Sequence, residues 1–305
     1  MQLLSRSTRF FTLPRLLWRL LIGLWTLSGE VQLGLVAAGV AFYSVFAIFP
    51  AIAALIAIFG LVADPEVIKA QLELMREIIP VEAYGLLTEQ LNLMVSTRPE
   101  TLGFATVMST FVALFSARNG VASLILGLNQ IYGRPNRNGV WQLLVAMLLT
   151  FSLIAIAVLA MLVVVVAPIL LAVLPLGSGT GWALEAVRWI AAFGIVLAGL
   201  GVLYRFGPNM RGARGRWITP GAFLVILFWL LASAGFSYYL SNFGNYNEVY
   251  GSIGAVVALL MWLFISAWLV LLGAAINVVW ARIVRSGTGI SQGAIHPGPR
   301  PREIG

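Results

Sequence analysis

The sequence predicts an all-α, polytopic membrane protein with six transmembrane helices, and three observations carry that expectation. Six apolar runs divide the 305 residues, near Leu33–Val62, Leu102–Leu128, Val140–Val173, Trp182–Tyr204, Ile218–Leu240 and Ser252–Ile283. A hydrocarbon core about 30 Å thick takes about 20 helical residues to cross, and every run is that long. Hydrophobic residues make up 60% of the chain and charged residues 10%, with a mean hydropathy of +0.96. A soluble domain carries far more charge than this. The charges between the runs also alternate in sign from one side to the other. Amides in lipid must be satisfied within their own segment, so the runs are expected to be helices.

The charge alternation sets the expected orientation. Fifteen of the 19 basic residues and two of the 11 acids fall on one side. These are Arg6, Arg9, Arg15 and Arg19 before the first run, Arg118, Arg134 and Arg137 after the second, and Arg205, Arg211, Arg214 and Arg216 after the fourth. Arg282, Arg285, Arg300 and Arg302 complete the set in the tail, with Glu30 and Glu303 as its acids. The opposite side holds Lys69, Arg76, Arg98 and Arg188 against nine acids, Asp64, Glu66, Glu73, Glu77, Glu82, Glu89, Glu100, Glu185 and Glu248. Basic loops stay in the cytoplasm, so both termini are expected there. An even number of crossings requires the same.

The net charge of +8 is spread over loops beside the membrane. That placement fits topology and contact with anionic lipid headgroups better than nucleic acid, and no nucleic-acid partner is expected. The chain has no cysteine, and its single histidine, His296, lies in the tail. Thiolate chemistry is therefore excluded, and neither a metal nor another cofactor is expected.

Three regions flank or interrupt the spans. Residues 1–32 form the first, in which Phe10, Phe11, Leu13, Leu16, Leu17, Leu20, Leu21 and Leu24 alternate with Arg9, Arg15 and Arg19, and Trp18 and Trp25 add interfacial anchors. This pattern predicts an amphipathic helix lying on the cytoplasmic surface. The six-span domain covers 33–285, and within it 63–101 reads as an acidic extracytoplasmic helical hairpin, opened by Asp64-Pro65 and broken at Pro80. Pro175–Gly181 is a tight outer turn, and Pro168 before it is expected to kink the third span. The Gly-, Pro- and Arg-rich tail, 286–305, is expected to be disordered.

Few residues inside the spans can carry chemistry, and no catalytic set is visible. In the first span Tyr43, Ser44 and Pro50 interrupt an apolar stretch, and Gly34, Ala38, Ala41 and Ser44 make a small-residue stripe. Close helix packing is the favoured reading of that stripe, ahead of a substrate site. Arg118 admits two readings. A second span ending near it would let the guanidinium snorkel to the cytoplasmic boundary, the favoured reading; a span continuing to Leu128 would set it deep, where it needs a partner or a hydrated cavity and becomes an anion-binding candidate. Glu185 and Arg188 are spaced to pair on one helix face at the outer boundary. The scarcity of other ionisable groups argues against a proton relay.

Two loop clusters remain. Asn242, Asn245, Tyr246, Asn247 and Tyr250 form a dense polar connector that reads equally as a capped turn or as an outer gate. On the cytoplasmic side, Arg205 and Arg211 on one loop, with Tyr204, Pro208 and Asn209, face Asn129, Tyr132, Arg134 and Arg137 on another. Should these loops converge, they would form a positive vestibule.

These blocks, in order, resemble the YihY/BrkB family of bacterial inner-membrane proteins, formerly labelled ribonuclease BN. The resemblance runs from about Ala37 to Arg282. It rests on Ala41–Pro50, on Gly120, Asn129, Tyr132 and Arg137, and on Tyr204-Arg205, Pro208-Asn209 and Pro220-Gly221. The set is completed by Tyr239–Asn242, Tyr246-Asn247, Tyr250–Ser252, Gly254, Trp262 and Leu272–Ala274. Ala47 stands where many members have Ser, and Ala275 where many have Glu just before Asn277. The second departure removes a carboxylate on which acid-dependent coupling would rest. The resemblance implies six spans, the inner membrane and, as in some members, export or flipping of anionic lipids or other anionic solutes.

The expected function is a transporter, exporter or flippase of an anionic or amphipathic solute. Arg118, Asn129, Arg137, Arg205 and Arg211 would attract the solute inside, and Asn242, Asn245, Tyr246, Asn247 and Tyr250 would line the outer site. Expected partners are membrane lipids, the anionic small molecule or lipid itself, and a second copy of the chain. The alternative is a non-transporting scaffold for envelope proteins that acts through the acidic hairpin. An enzyme is not expected: a nuclease needs carboxylates or histidines at the phosphate, and the cytoplasmic side offers only Glu30 and Glu303, far apart in sequence.

Overall fold

The computed structural model describes residues 13–62, 88, 99–166, 178–210, 217–242 and 252–287. Among these the chain forms seven α-helices and no strand: α1 (Leu13–Glu30), α2 (Leu33–Val62), α3 (Pro99–Ile131), α4 (Gly139–Met161), α5 (Ser178–Phe206), α6 (Pro220–Asn242) and α7 (Ser252–Gly287). A single π-helical turn, Leu162–Val166, extends α4. The helices α2 to α7 each contain a stretch long and apolar enough to cross a membrane. The expected outer hairpin, apart from Thr88 and the residues that open α3, lies outside the described residues, as do Pro168, the outer turn before Ser178, the connector 243–251 and the tail beyond Gly287.

The six spanning helices close a ring in chain order. Each packs on the next and α7 returns to α2, while α3 also reaches α7 across the ring. The α2–α3 pairing is the most extensive. The end of the ring that carries α1, the C-terminal part of α7 and the α3–α4 and α5–α6 loops is here called the terminal end. Buried side chains cluster in the half nearest to it: Leu33 to Ala41 on α2, Val121 to Ile131 on α3, Ala222 to Ile226 on α6 and Ala267 to Val279 on α7.

Glycines on α3 set the closeness of the α2–α3 pair. A Cβ at Gly127 would lie 2.7 Å from Val36 Cγ1, and one at Gly120 would touch Ser44, Tyr43 and the Val40 carbonyl. These residues are seven apart and share a helix face. The expected stripe on α2 packs at Ala41 and Ser44 but not at Gly34 or Ala38. Ala37, Val40 and Ala41 are the buried residues there, Ala38 is exposed, and a Cβ at Gly34 would meet nothing.

The helix ends at the terminal side are tightly closed. Gly133, at φ 61°, ends α3 in the left-handed region, and the amides of Gly133 and Arg134 return to the carbonyls of Gln130 and Asn129. That pair of bonds is a Schellman cap, which satisfies carbonyls left free at a helix end. The expected N-terminal amphipathic helix appears as α1. Its Leu20, Leu24 and Leu27 pack on the core, and Gly23 lies against Val279 of α7. The opposite face exposes Leu17, Trp18, Leu21 and Trp25, a surface suited to lipid.

Candidate functional site

The α3–α4 and α5–α6 loops converge at the terminal end, but as a hydrogen-bonded clasp. Arg137 follows the α3 cap and reaches across to the last turn of α5. Its guanidinium donates to the carbonyls of Gly207 at 2.6 Å, Pro208 at 2.8 Å and Phe206 at 3.1 Å. A cation at a helix C-terminus also meets the negative end of the helix dipole. Asn129, with 0% exposure, sits under the same clasp: its side-chain carbonyl accepts from the Asn209 amide at 2.8 Å, and its amide donates to Asn136 at 2.9 Å. Asn209 in turn donates to the Pro135 carbonyl at 3.0 Å. Burial pushes the Arg137 guanidinium below its ordinary pKa, yet arginine remains charged at any physiological pH.

Arg137 and Asn129 therefore hold together the two loops that the sequence reading set side by side. Hydrogen bonds from a charged group are worth about 1.5–3 kcal/mol each in favourable settings. Arg137→Ala is expected to lower stability by about 3 kcal/mol in a thermal unfolding series in detergent. Arg137→Lys should recover little, because a compact ammonium cannot span three carbonyls. A lysine variant as stable as the native protein would contradict the fork geometry.

A second polar knot lies beside the clasp and was not anticipated from sequence. Asn277 of α7 accepts from the Gly221 amide at 2.8 Å and donates to Thr219 Oγ1 at 3.0 Å, so a side chain of α7 caps the start of α6. Tyr132 packs against the same core. Tyr204, buried in the core, donates to the Val270 carbonyl at 2.7 Å. The sequence signals were the family blocks that hold Tyr132, Tyr204 and Pro220-Gly221, and the polar Asn277 within an apolar run.

Arg205 lies on the last turn of α5, with its guanidinium 4.8 Å from the Trp217 ring and 5.9 Å from that of Phe206. This is a cation–π stack at a helix end. Arg211, Asn245, Tyr246, Asn247 and Tyr250 lie outside the described residues, and of Asn242 only its place at the end of α6 is described. Glu185 and Arg188 form the expected ion pair, and Trp189 Nε1 donates to the same carboxylate at 2.8 Å.

The helix that carries Arg118 is continuous, as the second of its two sequence readings requires. The helix α3 runs unbroken from Pro99 to Ile131, so Arg118 lies within the span Thr106–Ile131 and 13 residues before its terminal end. Arg118 also shares a helix face with Val121, Ile125 and Asn129, and Val121 and Ile125 pack on Ala146 and Leu149 of α4. The guanidinium thus stands about one turn beyond the packed layer. It donates to Asn119 Oδ1 at 2.7 Å and lies 5.9 Å from the Phe115 ring, while its Nε is buried with no hydrogen-bond partner. Among the described residues no carboxylate pairs with it.

Tyr43, Ser44 and Pro50 of α2 all lie within the helix. The Ser44 hydroxyl donates to the Val40 carbonyl at 2.8 Å, and Tyr43 and Ser44 line the contact with Gly120. Their role is packing against α3, and only Gly120, two residues away, links them to Arg118.

A ring of six helices, each with a stretch long and apolar enough to cross a membrane and bolted together at one end, defines a polytopic membrane protein. The chain belongs to the BrkB family: the family model described as virulence factor BrkB matches residues 24–293. It is 32% identical over 174 residues to the ribonuclease-like protein YfkH of Bacillus subtilis (strain 168), a match covering 55% of this chain and 62% of that one. It is 34% identical over 104 residues to a UPF0761 membrane protein of Tolumonas auensis, covering 31% of this chain and 34% of the relative. A UPF0761 membrane protein of Xanthomonas campestris pv. campestris (strain B100) is 35% identical over 96 residues, with coverage of 29% and 22%. The chain thus spans less than two thirds of the length of these relatives. No solved structure matches it.

Proposed function

We propose that the protein is a transporter of anionic or amphipathic solutes, an exporter or flippase, seated in a bacterial inner membrane with its terminal end in the cytoplasm. The observation that carries this reading is Arg118. A guanidinium at the centre of a span costs about 3 kcal/mol to insert even on permissive scales; among the described residues no acid offsets that cost, and a bound anion would. The buried Nε with no partner supports the same conclusion. An anion arriving at Arg118 would restore both the charge balance and the missing hydrogen bond.

The distribution of packing supports an alternating path. Buried side chains concentrate between Arg118 and the terminal end, where the Arg137 and Asn277 bridges close the ring. Among the described residues, this arrangement suits a bundle shut toward the cytoplasm. The orientation follows from the basic loops at the terminal end. A hydrolytic reading has no support in the chemistry of the described residues, among which no group of three acids, histidines or cysteines could hold a metal.

Reconstitution into liposomes tests the proposal. A fluorescent amphiphile bearing one negative charge should cross vesicles containing the protein at least tenfold faster than a cationic analogue of the same tail. Equal rates for the two charges would refute anion selectivity, and equal rates with and without protein would refute transport.

A further inference from the structure

A cavity of 290 Å³ opens at the terminal end, lined by Asn136, Arg137, Asn138, Trp141, Val145 and Asn209. It lies beside the clasp, at the first turns of α4, and is separate from Arg118. Its polar wall is rich in donors. Arg137 uses three N–H bonds on the α5 carbonyls, and a guanidinium has five N–H donors, so two stay uncommitted. Asn136 accepts from Asn129 through Oδ1 and keeps its own amide free. Asn138 occupies the N-cap position of α4 but makes no side-chain capping bond. No acid is among its described lining residues.

The other wall is apolar and faces outward. Trp141, the third residue of α4, is 65% exposed, and Val145 lies one turn deeper in the span. Tryptophan at the first turn of a spanning helix sits at the level of lipid headgroups. The cavity therefore joins a cationic, amide-rich upper part to a greasy lower part at the membrane surface. Its positive charge is undiminished by the clasp, because carbonyls carry dipoles but no net charge. The uncapped start of α4 adds positive potential of the same sign.

We propose that this cavity binds a phosphate group, supplied by the headgroup of an anionic lipid whose chain lies along Trp141 and Val145. Phosphate fits the donor set: its oxygens accept several N–H bonds at once, and the planar guanidinium edge matches two of them. A free phosphate offers the same chemistry without the tail, and the apolar wall favours the lipid. Binding here requires no movement of solute, so this inference and the transport reading stand or fall separately.

Native mass spectrometry of the full chain in detergent tests the site at equilibrium, with no flux involved. Phosphatidylglycerol is expected to bind with at least tenfold preference over phosphatidylcholine. Asn138→Asp should reduce that binding at least fivefold while keeping the fold, since aspartate serves equally well at a helix N-cap. Trp141→Ala should weaken phosphatidylglycerol while leaving inorganic phosphate unaffected. Inorganic phosphate competing as strongly as the lipid would support the phosphate site and assign its source to free anion. Phosphatidylglycerol bound no better than phosphatidylcholine, or bound as well by Asn138→Asp, would overturn the proposal.

Discussion

Arg118→Ala is expected to abolish charge-selective flux, with at least a tenfold loss for an anionic amphiphile in liposomes, while leaving the protein inserted and folded. The two halves of that expectation have one cause. Burying a guanidinium at mid-span opposes insertion by about 3 kcal/mol, and its partners here are a neighbouring amide and an aromatic ring. Removing it therefore loses little structure and relieves a strain. Thermal unfolding should show the alanine variant at least as stable as the native chain, which separates lost function from misfolding. Arg118→Lys should retain part of the flux, since the charge survives but the planar fork does not. Native flux in Arg118→Ala would end the assignment of this residue to the transport path.

Gly221→Ala is expected to produce the largest loss of stability from a single methyl group. Gly221 opens α6 where it crosses α7, and a Cβ there would press on the carbonyl oxygen of Gly273 and lie 2.6 Å from Asn277 Oδ1. Both obstacles are fixed, one being backbone and the other a cap that already holds the Gly221 amide. Gly273 is crowded in return, with a Cβ placed 2.5 Å from the Tyr204 hydroxyl. Overpacking costs typically about 1–3 kcal/mol, and a site with no flexible neighbour belongs at the upper end. The loss should appear as a lowered unfolding midpoint in detergent and reduced yield from the membrane. Gly34→Ala supplies the control, because a Cβ there meets nothing, and it should be neutral or stabilising by up to about 1 kcal/mol. Equal midpoints for the two variants would show that the α6–α7 crossing is looser than described.

The comparison of these two glycines also marks where sequence reading stops. Gly34 and Gly221 are the same letter beside apolar residues, and the small-residue stripe on α2 drew attention to the wrong one. Close approach depends on where the neighbouring helix lies, which no local pattern encodes. Arg137 makes the same point: the sequence assigned it to a positive vestibule, and its three partners lie about 70 residues away on another loop. Asn277 was passed over because a lone amide in an apolar run has many innocent explanations, and only the start of α6 beside it gives it a task. Arg118 was legible as a choice between two depths. The unbroken helix is what the deeper one requires.

What the sequence determined by itself is the count and extent of the spans, because bilayer thickness and the need to satisfy every backbone amide act locally on each run. The observed helices match the six apolar stretches closely, from Leu33–Val62 onward, and the ordered blocks of residues carried the family. The tertiary structure decided which polar residues are spent on holding the ring shut and which are left over. Arg137, Asn129 and Asn277 are committed to carbonyls and helix ends, whereas Arg118 keeps a buried nitrogen without a partner. That division follows from distances between segments remote in sequence, and hydrogen bonding is decided by distance and direction in space, not by position along the chain.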